Sequence, residues 1–134
     1  MHSHKAVFIR FVVEIRDQES HEYKGLFNAM DELLESNELF DWEDKKQEEI
    51  YLWFKKNLKV PHVQSSESNY YAKPKAISWF KDSAKQHIEK MRQYAQILQS
   101  HEYSVLQLIT DRPGKVLYED DYQIAAIPFA DTFK

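Results

Sequence analysis

Two copies of the tripeptide Trp-Phe-Lys, at residues 53–55 and 79–81, bring aromatic rings and lysines close together along the chain. Proteins that bind single-stranded nucleic acid stack aromatic rings on bases and neutralise phosphates with lysine, and each stack contributes about 1–3 kcal/mol. An arginine adds a planar donor that suits a phosphate or a carboxylate. The residues around the second copy that could supply this chemistry are Trp79, Lys81, Lys73, Lys75 and Arg112.

An alternative is that the tryptophans are core residues. Aromatic side chains at helical spacing usually pack inward, and lysine stems then cover their edges while the charged ends stay in water. This explanation suits the first copy, Trp53, better than the second, Trp79. The net charge of −4 also argues against a binder of duplex nucleic acid, which normally presents a strongly basic face.

A third candidate is His87, which falls on the apolar stripe of a predicted helix. A histidine there could act as an acid or base near neutral pH, with Arg112 as an oxyanion or phosphate clamp. Positions 83 and 91 are Ser and Met, so the helix offers no neighbouring metal ligand, and we expect no metal site. The acidic clusters Glu43-Asp44 and Glu119-Asp120-Asp121 are expected to serve a helix start and a hairpin turn rather than catalysis.

The composition excludes several classes. The chain has 134 residues with two glycines and no cysteine. Two glycines are too few for a glycine-rich phosphate loop or a dinucleotide-binding turn. Without cysteine the chain has no disulfides and no thiolate chemistry. We expect no cofactor. No run approaches the ~20 apolar residues of a membrane span, and we expect a cytoplasmic location.

The charges are unevenly distributed along the chain. From Lys45 to Arg92 there are 11 lysines and arginines against 5 acids, so the rest of the chain is strongly acidic. A basic, aromatic middle with acidic flanks can steer a partner. Our leading hypothesis is a non-catalytic interaction protein that recognises a macromolecule, with an inhibitor, antitoxin or immunity-like role among the options. The alternatives are the nucleotide or single-strand binder and the small enzyme with His87.

The elements that must position these residues follow the order β-α-α-(β)-α-β-β-β. We predict an α+β fold, a single layered domain with a mixed or mainly antiparallel sheet of four to five strands and three helices. The predicted strands are Lys5 to Ile15, Ala76 to Phe80, Ser104 to Thr110, Lys115 to Glu119 and Tyr122 to Pro128. The near-continuous apolar character of the first strand predicts a central position covered on both faces.

Each helix is predicted from its apolar spacing and its end signals. The first carries a stripe through Met30 and stops near Asn37; the second opens at Asp41 as its N-cap. The third begins at Asp82 or Ser83 and ends near His101. Its predicted stripe is the clearest in the sequence and comprises Ala84, His87, Ile88, Met91, Tyr94, Ala95 and Leu98.

Three further predictions concern turns and assembly. Arg112-Pro113-Gly114-Lys115 predicts a type II turn, because glycine tolerates positive φ. Residues 62–75 predict a mobile surface loop within one domain that spans residues 1–134. We predict a homodimer. If the final strand, Tyr122 to Pro128, is the sheet edge, two copies would pair through this strand or over the neighbouring aromatic surface.

Overall fold

The computed structural model describes residues 6–16, 23–61 and 76–130. Its elements are, in chain order, β1 (Phe8–Arg16), β2 (Tyr23–Gly25), α1 (Leu26–Glu35), α2 (Asp41–Asn57), β3 (Ile77–Lys81), α3 (Lys85–Ser100), β4 (Val105–Thr110), β5 (Lys115–Glu119) and β6 (Gln123–Ile127). Every strand pair whose register is described is antiparallel. The predicted α+β class with three helices is therefore confirmed.

Residue contacts divide the chain into two compact units. Unit 1 comprises residues 1–10, 60–84 and 109–134, and unit 2 comprises residues 11–59 and 85–108. That residues 1–134 form one domain stays a prediction, and the predicted loop at 62–75 lies outside the described residues.

In unit 1 the antiparallel sheet is built around β3. This strand pairs with the start of β1 through Phe8↔Lys81 and with β6 through Trp79↔Ile124, and β6 in turn pairs with β5. The strand predicted over Ala76–Phe80 is thus confirmed as Ile77–Lys81. The expectation that the last strand is an edge was wrong. β6 has neighbours on both sides, and Ile124, Ala125 and Ala126 are fully buried.

In the connection between β4 and β5, which do not pair with each other among the described residues, the glycine of the predicted turn has the expected positive φ. Gly114 has φ of 130°, a value that disfavours any other residue. A Cβ at this position would overlap the backbone of Ile127. At the second turn, Asp120 accepts hydrogen bonds from the backbone N–H groups of Tyr122 and Gln123 at 2.8 and 3.0 Å. An aspartate can therefore hold this turn without a glycine.

Unit 2 contains the three helices together with β2, β4 and most of β1. Val12 and Val13 are both fully buried although they point to opposite faces of β1, which confirms the predicted covering of both faces. In the described residues β1 pairs with β2 and with β4. The three-residue β2 was missed because so short a strand carries no readable alternation.

The helix predictions for unit 2 hold in their interiors and differ at their ends. All seven residues of the predicted α3 stripe are buried. α3 begins at Lys85 rather than Asp82 or Ser83, because residues 82–83 form a turn in which the Ala84 N–H donates to the Lys81 carbonyl. α1 stops as predicted, since Asn37 adopts a left-handed φ of 58°.

Candidate functional site

Helices α2 and α3 of unit 2 pack antiparallel, and side chains at both ends of the pair link them. The first turn of α2 meets the last turn of α3, where Glu43 contacts Ser100 and His101. At the other end, His87 Nε2 lies 2.9 Å from the backbone oxygen of Asn57, the last residue of α2. The helix pair therefore has polar contacts at each end and a packed apolar seam between them.

The start of α2 explains why Glu43 is buried. Phe40 is the N-cap with extended backbone, so the predicted N-cap Asp41 is instead the first helical residue. Phenylalanine has no side-chain acceptor for the orphan N–H groups of a helix start. Glu43, at the third helical position, reaches back and accepts a hydrogen bond from the Phe40 N–H at 2.9 Å. Its carboxylate is thereby held at the junction with α3.

Three donors surround the Glu43 carboxylate, which is 2% exposed. In addition to the Phe40 N–H, His101 Nε2 lies 2.8 Å from Oε1, and the Ser100 hydroxyl lies 3.0 Å from Oε2. Burial by itself raises the pKa of Glu43, but the hydrogen bonds from His101, Phe40 and Ser100 outweigh it and the net shift is downward. The carboxylate is therefore ionised at neutral pH.

A pocket of about 350 Å³ opens beside this carboxylate. We call it the aromatic pocket. It is lined by Phe40, Trp42, Glu43, Lys46, Gln93, Gln96, Ile97, Ser100 and His101. Two of its lining side chains are large rings left in solvent, Phe40 at 66% and Trp42 at 64% exposed. Exposed aromatic rings next to a cavity are typical of binding surfaces.

A second pocket of about 590 Å³ shares His101 with the first. We call it the acidic pocket, because four of its lining residues are glutamates, namely Glu14, Glu32, Glu38 and Glu102. Glu32 is paired with Lys24, and Glu14 accepts a hydrogen bond from Ser104 at 3.0 Å. His101 thus stands between an aromatic pocket and an acidic one within unit 2.

The order of groups in the Glu43 cluster limits its chemistry. A serine nucleophile is activated when histidine lies between the serine and the acid. Here the carboxylate lies between Ser100 and His101, so the acid accepts from both and each group is held in place. This arrangement fixes the wall of the aromatic pocket, and it is suited to presenting a rigid binding surface.

The structure places His87 in the core of unit 2. Its ring is 4% exposed and contacts Trp53 edge to face, with ring centres 4.8 Å apart. Because a carbonyl oxygen only accepts, the bond to Asn57 requires a proton on Nε2. His87 is thus bonded to the carbonyl of the last residue of α2. Trp53 takes part in the α2–α3 contact but is only half-buried, so it is not a fully buried core residue.

The other predicted binding residues that are described lie in unit 1. Trp79 is 1% exposed, so its ring has no face available for stacking on a base. Lys81 forms an ion pair with Glu119 at 2.6 Å. The Arg112 guanidinium lies over the Phe129 ring, 5.2 Å from its centre. Lys73 and Lys75 lie outside the described residues.

Sequence reasoning missed the residues that form the aromatic pocket. The sequence predicted a helix-start role for Glu43, and it placed His101 near the end of the third helix without giving it a role. A signal was present in Phe40-Asp41-Trp42-Glu43, where the third residue after the N-cap is a glutamate able to close half of a capping box. The partner of that glutamate, 58 residues further on, had no sequence signal.

Comparison with protein-family models, with curated proteins and with solved structures found no match. In the described part of the chain, no group of three or more His, Cys, Asp or Glu residues is arranged to hold a metal ion. Among the same residues, none of the helices has the length and apolar character needed to cross a bilayer.

Proposed function

We propose that this protein is a binding protein that recognises a partner protein through the aromatic pocket of unit 2. The observation that carries the proposal is the exposure of Phe40 and Trp42 beside a cavity whose wall is fixed by the buried Glu43. This keeps the macromolecular-interaction hypothesis and moves its site to the start of α2.

The physical argument rests on the two rings. Tryptophan is among the residues that dominate binding energy at interfaces, and truncation of such an anchor typically costs about 2–4 kcal/mol of affinity. Little backbone freedom is lost when a partner covers these rings, because a folded helix start carries them. Glutamines at 93 and 96 on α3 provide hydrogen-bonding groups on the opposite side of the pocket. The combination of apolar anchors and polar rim is the usual composition of a protein interface.

A comparative pull-down tests the proposal. Wild-type protein, Trp42→Ala and Leu52→Ala would be immobilised and exposed to extract from the native source, with bound proteins quantified by mass spectrometry. Leu52 is the matched control, because it is 54% exposed on the same helix but does not line the pocket. We expect a protein retained by wild type and Leu52→Ala and lost with Trp42→Ala. Equal retention by all three would refute the proposal.

The remaining parts of the hypothesis are proposals of the same kind. A cytoplasmic location is supported by the absence of cysteine from the sequence. A homodimer, if formed by strand pairing, would use β5, since in the described residues β5 pairs with β6 alone and stands at the end of the strand order. Val116 and Leu117 on β5 are partly exposed.

A further inference from the structure

The start of α2 combines exposed rings with closely spaced carboxylates. Residues 38–44 read Glu-Leu-Phe-Asp-Trp-Glu-Asp, with four acids and no basic residue. Asp41, Glu43 and Asp44 all fall in the first helical turn, where the helix dipole stabilises negative charge. Trp42 and Phe40 are therefore flanked along the chain by carboxylates.

The same sign of charge continues beyond the aromatic pocket. Glu38 comes two residues before Phe40 in the chain. It lines the acidic pocket together with Glu14 and Glu102. Lys24 pairs with Glu32 and offsets one of these charges. Within unit 2, the rings of the aromatic pocket thus stand next to a second cavity in which carboxylates outnumber the described cations.

One lysine or arginine is found among the described residues that line the aromatic pocket, and it is already paired. This residue is Lys46, and its ammonium lies 3.8 Å from the Glu49 carboxylate on the next turn of α2. His101 Nε2 donates its hydrogen bond to the Glu43 carboxylate. A positively charged group brought by a partner would therefore meet the exposed rings of Phe40 and Trp42 in the aromatic pocket and the glutamates of the acidic pocket beside it.

We propose that the partner presents a basic segment whose arginine enters the aromatic pocket against Trp42 and Phe40. An arginine side chain matches this site better than a lysine does. Its planar guanidinium stacks on an indole face, and its fork of N–H donors can bond carboxylates at the same time. The neighbouring acidic pocket receives further basic residues of the same segment. This inference rests on the proposed function and specifies the chemistry of the partner.

The test uses three defined peptides and the intact protein. The probes are acetyl-Gly-Arg-Gly-Arg-Gly-amide and the same peptide with lysine or with the neutral isostere citrulline in place of arginine. Isothermal titration calorimetry gives the affinities, and the indole N–H resonance of Trp42 in ¹H–¹⁵N spectra reports where the peptide binds. We expect the citrulline peptide to bind about tenfold or more weakly than the arginine peptide, and the lysine peptide to fall between them.

Two variants and a control decide the site. Trp42→Ala should lower the affinity for the arginine peptide about tenfold. Glu38→Gln should lower it about two- to threefold at low salt and leave it unchanged at high salt. Leu52→Ala should bind the peptide as wild type does. Equal affinity for the arginine and citrulline peptides, or for wild type and Trp42→Ala, would overturn the inference. If the peptides fail but a native partner is still lost with Trp42→Ala, the proposed function stands and the arginine assignment falls. If Trp42→Ala retains that partner, the proposed function itself falls.

Discussion

The substitution Glu43→Ala is expected to be strongly destabilising, although residue 43 lies in the first turn of a helix, where substitutions are often mild. The carboxylate is 2% exposed and joins three donors from two helices. A hydrogen bond to a charged group contributes roughly 1.5–3 kcal/mol, but the freed donors face a pocket that water can enter and recover part of this. We expect a net loss of about 2–4 kcal/mol in the free energy of unfolding.

The substitution Glu43→Gln removes the negative charge of residue 43 but keeps the size and shape of its side chain. Glutamine keeps one carbonyl acceptor for a donor of the cluster, but its amide group turns a second acceptor into a donor, which faces Ser100 or His101. We expect a loss of about 1–2 kcal/mol, smaller than that of the alanine variant. Glu49→Gln is the matched control, because Glu49 lies on the same helix and its side chain is 64% exposed with a single weak ion pair. The control should change stability by less than about 0.5 kcal/mol.

The lowered pKa of Glu43 adds a pH dependence with a definite sign. A carboxyl group whose pKa is lower in the folded than in the unfolded chain stabilises the fold above its unfolded pKa, about 4.3 for glutamate. That contribution is lost as the pH falls through the folded pKa. Wild-type protein should therefore lose its advantage over Glu43→Gln on acidification below about pH 4.

Urea unfolding followed by far-ultraviolet circular dichroism, at pH 7 and at a series of lower pH values, measures these differences. Hydrogen exchange at the amides of the first turn of α2 locates the effect. If Glu43→Ala costs less than about 0.5 kcal/mol, or if wild type and Glu43→Gln keep the same difference at every pH, the carboxylate does not hold the helix ends as argued. A cycle that combines Glu43→Gln with His101→Gln should show a coupling energy of about 0.5–3 kcal/mol.

Three further outcomes are expected elsewhere in the chain. Gly114→Ala should lower the stability in thermal unfolding by about 2 kcal/mol or more, because φ is 130° and a Cβ would overlap neighbouring backbone. Gly25→Ala is the control and should stay within about 0.5 kcal/mol of wild type, because Gly25 has extended backbone and open space around its Cα. Asp120→Ala should lower the free energy of unfolding by about 1–2 kcal/mol at pH 7, because two backbone N–H groups lose their acceptor. The loss should shrink in acid, since burial raises the pKa of Asp120 but its hydrogen bonds bring the net shift below the ordinary value. Asp121→Ala, at an exposed position, is the control and should leave the stability almost unchanged in the same urea titration. If β5 pairs two copies, Leu117→Lys should shift sedimentation equilibrium toward the 16.1 kDa monomer, and a wild-type protein that is monomeric at every concentration would contradict the dimer.

Local patterns in the sequence were sufficient for the helices and for the turns. All seven residues of the predicted α3 stripe are buried and only Ile97 was missed, because residues three and four apart share a helix face whatever the helix packs against. The positive φ of Gly114 was predicted because backbone sterics act within a few residues. The absence of cysteine and the scarcity of glycine excluded whole classes of chemistry before any fold was known.

Positions that depend on distant segments could not be predicted. The sequence of β6 does not reveal that β3, more than 40 residues earlier in the chain, pairs with it. An internal strand was therefore taken for an edge strand. Trp42 and Trp79 are the same residue type in similar aromatic surroundings, yet one is 64% and the other 1% exposed. Burial of that kind is set by which elements meet.

The candidate site shows the same division. The sequence determined that Glu43 would be near a helix start and His101 near a helix end, because capping and helix length are local properties. Only the antiparallel packing of α2 on α3 brought the two ends together, buried the carboxylate between them and left Phe40 and Trp42 in solvent beside the cavity. Contacts across 58 residues depend on the tertiary fold, since no spacing rule connects residues on separate helices.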